Sequence, residues 1–288
     1  MDTQILQLIV NGIAVGSIIA LAAVGLTLTY GILRLSNFAH GDFLTLGAYL
    51  TLLVNTGGLN IWLSMIMAAI GTVAAMLLSE KLLWSRMRSI GATSTTLIII
   101  SIGLALFLRN GIIFFWGGQN QSYDLPVTTA LNIFGLKIAQ NQLLVLGLAV
   151  VTILGLHYLL QNTKIGKAMR AVADDLDLAR VSGINVEQVI LWTWIIAGTF
   201  TSLGGSMYGL ITAVRPNMGW FLILPLFASV ILGGIGNPYG AIAAAFIIGI
   251  AQELSTLWIG SEYKQGVALL LMILVLLIRP KGLFKGTI

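Results

Sequence analysis

Residues 5–33, ILQLIVNGIAVGSIIALAAVGLTLTYGIL, run for twenty-nine positions without one charged side chain. About 20 helical residues cross the roughly 30 Å of hydrocarbon in a bilayer, so this run is long enough to span one. Working outward from it, uncharged runs at 43–79, 89–108, 138–163 and 188–214 match or exceed that length. A bilayer leaves backbone groups no water to bond. Continuous apolar runs satisfy this by helix formation, whereas a barrel shows short alternating segments. Hydrophobic residues make up 58% of the 288-residue chain and charged residues only 9%, against roughly 25% charged in soluble domains. Mean hydropathy is +0.98. The expected fold class is all-α: one polytopic transmembrane helical bundle over 1–288.

The apolar segments number nine, at about 5–33, 38–54, 61–83, 94–116, 140–161, 190–214, 218–234, 239–260 and 264–279. Eight true spans plus a re-entrant segment fit the same pattern, so the count stands at eight to nine. Basic residues gather at Lys81, Arg86 and Arg88, then Lys164 to Arg180, then Arg279, Lys281 and Lys285. Under the positive-inside rule these clusters lie in the cytoplasm, which with an odd number of passes predicts an external N-terminus and a cytoplasmic C-terminus. Arg34 then also falls inside, and Arg109, Lys137, Arg215 and Lys264 fall on or toward the outside. The net charge of +5 therefore reports topology and implies no nucleic-acid partner. The start of the chain, MDTQILQLIVNG, lacks a basic n-region and a small-residue cleavage site, so residue 5 onward is expected to be a retained span.

Against this apolar background, residues 162–187, NTKIGKAMRAVADDLDLARVSGINVE, hold eight of the twenty-five charged residues. Met169, Val172, Leu176 and Ala179 recur at helical spacing, with Arg170, Asp174 and Asp177 beside them. This pattern predicts one short amphipathic helix in water.

The segment at 38–54 opens with Asn37, Phe38, His40, Gly41 and Asp42 and is only marginally long for a span. Ionisable side chains inside membranes are costly and usually functional. Two readings stand: a helix capped near Asn37 with His40 at the interface, or a broken helix whose free amides meet polar groups. Late in the chain, residues 232–240 read LGGIGNPYG, with Gly233, Gly234, Gly236 and Gly240 around Pro238. This is either a tight turn between two spans or the polar break that ends a half-helix. Short Gly-punctuated segments in both halves also suggest an internal repeat. The polar stretch 117–142 suits either a platform for an external partner or a plain connector. Small residues such as Ala68, Gly71, Ala75 and Gly103 permit close helix packing in lipid. Trp62, Trp116, Trp192, Trp220 and Trp258 sit near segment ends, as interfacial anchors do.

Several chemistries are missing. No phosphate-cradling G-x-x-x-x-G-K-[ST] motif occurs, so any ATP must be handled by a partner. With no cysteine, two histidines and no H-E-x-x-H, a metal site is not expected, nor is a cofactor. No nucleophile motif of the G-x-S-x-G type is present, so no enzyme activity is expected. Ionisable groups fit for a proton relay are limited to Asp42, Glu253 and Glu80.

Three stretches, GIAVGSIIALAAVGLTLTYGILRLSNFAHGDFLTLGAY, TKIGKAMRAVADDLDLARVSGINV and ILGGIGNPYGAIAAAFIIG, occur in this order across nearly the whole chain. Together they resemble the LivH-type permeases of branched-chain and neutral amino-acid ABC importers. The resemblance implies a permease in the bacterial plasma membrane that pairs with a second LivH/LivM-type permease. It further implies two cytoplasmic ABC ATPase subunits and an extracytoplasmic solute-binding protein. Carried onto this chain, Gly166, Arg170, Ala171, Asp174, Ala179, Gly183 and Ile184 would form the cytoplasmic segment that couples to the ATPase. Asn37, Phe38, His40 and Gly41, with Gly233, Gly234, Gly236 and Gly240, would be broken-helix positions near the translocation path. Lys167 and Ser182 depart from the types expected there. A same-family importer of urea or short amides, and an ion-coupled secondary transporter, remain as rival functions.

Overall fold

The computed structural model describes residues 2–125, 130–133, 135–280 and 282–284. Its centre is α1 (Asp2–Leu33), whose residues 17–29 are buried on every side. A helix with no polar face requires partners all round, and α1 finds them in α11 (Pro238–Ser255), α9 (Val186–Ile211), α10 (Met218–Gly233) and α6 (Gln140–Asn162). Gly12 and Gly16 face Gly249 on α11 so closely that a side chain at any of the three would meet backbone. In lipid, where apolar helices gain little by leaving their solvent, such backbone proximity is a main source of association.

Around this spine stand α2 (His40–Thr56), α3 (Ile61–Ser79), α5 (Ser94–Trp116) and α12 (Lys264–Ile278). Seven helical stretches are long and apolar enough to cross a membrane. The 17-residue α2 and the 16-residue α10 are shorter. Each is preceded by non-helical chain, at 34–39 and 212–217.

The bundle has two ends. At one, the start of α6 bonds to α1 and α9, through Gln142 to Asn11 and Asn141 to Leu210 O, and Gln121 pairs with Val214. At the other, the end of α6 meets α7 (Lys164–Asp174) and the start of α11, while Leu283 N bonds Leu232 O. The basic residues Arg34, Arg86, Arg88, Lys164, Arg170 and Arg279 belong to this second end.

Several boundaries differ from expectation. The third helix does not stop near residue 83: it passes through a π-helical turn, Glu80–Trp84, and continues as α4 (Ser85–Ser89). The single amphipathic helix expected in 162–187 is two helices, α7 and α8 (Leu176–Val181), separated at Asp175. Asp175 leaves helical geometry because its carboxylate accepts the amides of Asp177 and Leu178 at 3.0 and 2.9 Å, capping the second helix. The polar stretch 117–142 carries a small hairpin, β1 (Leu131–Ile133) with β2 (Leu136–Ile138), so the architecture is helical but for this ornament. Residues 126–129 of that stretch lie outside the described residues.

Candidate functional site

Two regions draw together the residues singled out in the sequence. The first is where α2 and α10 begin. After α1 ends at Leu33, Arg34 adopts φ 53°, and the chain turns back along the bundle with Leu35, Asn37 and Ala39 buried. Phe38 N bonds Ser101 Oγ on α5 at 3.1 Å. Asn37 Oδ1 accepts Ala39 N, a local cap of the kind that Asx side chains favour. Asn37 closes this local turn but does not cap α2, whose N-cap Ala39 has no side-chain cap, and His40 is no interface residue. It is fully buried, with Nε2 2.9 Å from Ala22 O, two-thirds of the way along α1, and 3.0 Å from Thr201 Oγ1 on α9.

Gly41 makes the crossing of α2 with α10 possible. A Cβ on Gly41 would run into the carbonyl of Gly219, and one on Gly219 would fall 2.5 Å from Thr45 Oγ1 and closer still to Gly41 O. Thr45 Oγ1 also accepts Gly219 N at 3.0 Å. The first turns of the two shorter helices are thus in backbone contact inside the bundle, with the positive ends of their dipoles close together.

Asp42 lies in the first turn of α2 and supplies negative charge at this junction. Arg109, from α5, holds it in a two-point grip: Nε donates to Oδ1 at 3.0 Å and Nη2 to Oδ2 at 3.1 Å. The guanidinium lies 4.7 Å from the ring centre of Trp220, in the first turn of α10. Arg109, in the later part of α5, reaches inward to Asp42, and Trp220, 45% exposed, lies over the guanidinium. The remaining carboxylates considered for a relay are also matched: Lys264 Nζ donates to Glu253 Oε1 at 2.6 Å, while Glu80 accepts from Arg88 and from Trp194 Nε1 at 2.8 Å.

Gly233, Gly234, Gly236 and Gly240 form the connection between α10 and α11 rather than a gap within one helix. Gly234 and Gly236 take φ of 98° and 84°, Asn237 caps α11 through Gly240 N at 3.0 Å, and Gly236 N bonds Thr27 Oγ1 on α1. This turn lies in a cleft with Arg170 and Asp174 of α7, at the bundle end opposite the β-hairpin. Gly236 lies against Gly31 and bonds Thr27 on α1, the same helix that His40 meets at Ala22 and Gly25.

The second region is α7–α8. Thr163 Oγ1 caps α7 by accepting Gly166 N at 3.0 Å, and a Cβ on Gly166 would press within 2.6 Å of Leu160 Cα. Met169, Val172 and Ala179 are buried, so the segment is seated firmly on the bundle. Gly183 ends α8 at φ 85°, letting Ile184 N bond Ala179 O, a left-handed helix stop that favours glycine. Ala171 and Ile184 pack partly buried against the core. Arg170 and Asp174 are exposed, the former donating through Nη1 to Gln161 Oε1 at 2.7 Å. Leu178 is 62% and Val181 81% exposed, so α8 presents apolar side chains outward among charges. Next to the opposite end, Tyr123 OH donates to Ala48 O at 3.3 Å, and burial raises its pKa above the ordinary phenol value.

A bundle of this kind, with seven helices long and apolar enough to cross a membrane and an amphipathic segment seated at its basic end, defines a polytopic membrane protein. Residues 8–276 match the family described as branched-chain amino acid transport system / permease component, and the chain belongs to that family. It is 31% identical to the high-affinity branched-chain amino acid transport system permease protein LivH of Escherichia coli K12, covering 96% of this chain and 94% of that one. It is likewise 31% identical to BraD of Pseudomonas aeruginosa, covering 96% and 95%. LivM of Escherichia coli K12 is 27% identical, covering 91% of this chain and 67% of its own length. PsaBC from Streptococcus pneumoniae in complex with Fab shares the fold at TM-score 0.50 and 15% identity, covering 97% of this chain and 92% of that one.

Proposed function

We propose that this chain is one half of the membrane pathway of an ATP-driven importer of branched-chain or other neutral amino acids. Its partners are a second LivH/LivM-type permease, two cytoplasmic ABC ATPase subunits and an extracytoplasmic solute-binding protein. The observation that carries the reading is the α7–α8 segment. Its inner face is anchored by Met169, Val172 and Ala179, while its outer face offers Leu178, Val181, Arg170 and Asp174 to a partner. An amphipathic helix fixed to the bundle and docked in a groove transmits a partner's closure as a rigid-body displacement. The paired state of Asp42, Glu253 and Glu80 supports a pathway that does not itself take up coupling protons.

The chain is read as crossing a bacterial plasma membrane nine times, N-terminus outside and C-terminus in the cytoplasm. Support comes from the extended leaders 34–39 and 212–217, which add to α2 and α10 the length those helices lack, and from the basic residues at the α7–α8 end. Substituting Arg170 and Asp174 together by alanine tests the coupling role. The variant is expected to insert and assemble but lose ATP-dependent uptake; normal uptake would contradict the assignment.

A further inference from the structure

Among the described residues three carboxylates, Glu80, Asp42 and Glu253, are held in ion pairs, and one pair differs from the others in kind. Glu80–Arg88 and Glu253–Lys264 join residues 8 and 11 apart in sequence, with cation side chains 29% and 31% exposed. Asp42 and Arg109 are 67 residues apart, the carboxylate only 1% and the arginine 15% exposed. Removing two charges from water and binding them to each other seldom stabilises more than apolar packing of the same volume. An ion pair kept at the junction of two broken segments therefore calls for a role beyond packing. Arg109 keeps a partly exposed side chain, and Trp220 over it is 45% exposed and the adjacent Phe221 47%.

We infer that Asp42, Arg109 and Trp220 form a solute-reading site for zwitterionic α-amino acids within the membrane pathway. This inference rests on the amino-acid transport proposed above. A zwitterion carries one carboxylate for the Arg109 fork and one ammonium for Asp42. Its entry between them exchanges one ion pair for two, and no charge is left bare at any stage. The two-point geometry of guanidinium with carboxylate suits Arg109 to this exchange better than lysine would. The exposed indole of Trp220 offers the ammonium an aromatic face and the aliphatic side chain an apolar one. The positive dipole ends of α2 and α10 favour the solute's carboxylate over an uncharged amide. Urea has neither charge and gains nothing from the exchange.

The test uses the assembled transporter, with its ATPases and binding protein, in proteoliposomes, comparing Arg109→Lys and the neutral double variant Asp42→Asn/Arg109→Gln with the unmodified chain. Replacing both charges by neutral partners leaves no bare charge, so assembly and melting temperature are expected to stay near those of the unmodified complex. Leucine uptake at saturating binding protein is expected to fall about 10- to 100-fold in the double variant, the factor one charge-assisted hydrogen bond supplies. Arg109→Lys retains the ion pair and is expected to assemble, with a smaller loss of uptake. Uptake within about twofold of the unmodified chain in both variants overturns the inference while leaving the proposed function intact. Uptake that falls only in step with assembly overturns it as well, because the pair would then serve the fold alone. An unmodified complex that assembles but moves no α-amino acid overturns the proposed function, and this inference with it.

Discussion

The contact between α2 and α10 makes a sharp demand on residue 219, and Gly219→Ala measures it. A Cβ there falls 2.5 Å from Thr45 Oγ1 and closer to the Gly41 carbonyl, where ordinary van der Waals contact begins at 3.4 Å. The helices must separate by roughly 1.5 Å or more to clear the Gly41 carbonyl, and overpacking of this kind costs about 1–3 kcal/mol. Separation also breaks the 3.0 Å bond from Gly219 N to Thr45 Oγ1. A buried amide left without a partner costs about 1–3 kcal/mol more. The sum is about 2–6 kcal/mol. At roughly 2–4 °C per kcal/mol, the melting temperature of the detergent-purified protein should drop by about 10 °C. Gly103→Ala on α5 is the matched control, since nothing lies within 4 Å of a Cβ there. It should leave the melting temperature unchanged or raise it slightly, because alanine favours helix over glycine by about 1 kcal/mol. If Gly219→Ala melts within about 2 °C of the unmodified protein, the backbone contact at the heart of the junction is wrong.

Three further outcomes are expected. Leu178→Asp with Val181→Asp alters only exposed positions and should change stability by less than about 0.5 kcal/mol, yet co-purification with the ATPase subunits should be lost; retained co-purification would move the docking surface elsewhere. Asp42→Ala alone leaves Arg109 uncompensated and should destabilise by about 3–5 kcal/mol in thermal melts, more than the neutral double variant, and equal effects would deny the ion pair. Gly183→Ala forces φ 85° on a residue with a side chain and should lower stability by about 1–2 kcal/mol, although the site is open in space, so an unchanged melt would count against the left-handed stop.

Much of the fold was legible because lipid simplifies the code. Runs without charge mark helices, and expected limits such as 94–116, 140–161 and 218–234 fall on or within a residue of α5, α6 and α10. Buried faces on the polar segment were legible too, since Met169, Val172 and Ala179 obey helical spacing. What escaped was decided by side-chain hydrogen bonds or by distant partners. Asp175 splits one expected helix in two through its own capping bonds, which an apolar periodicity does not report. The pairing of Arg109 with Asp42 was not legible because the two are 67 residues apart. The glycines of 233–240 read equally well as a turn or a break, and the structure makes them the connection between α10 and α11, bonded to α1 through Gly236 and Thr27. The π-helical turn at Glu80–Trp84 has no composition signal of its own.

The most direct measurement is solute accumulation in proteoliposomes holding this chain, a LivM-type permease and ATPase subunits, with purified binding protein added outside. The account predicts uptake of leucine that needs both ATP and the binding protein, that alanine competes for and that urea does not. Gradient-driven flux through this chain alone, without ATPase subunits or ATP, would contradict it.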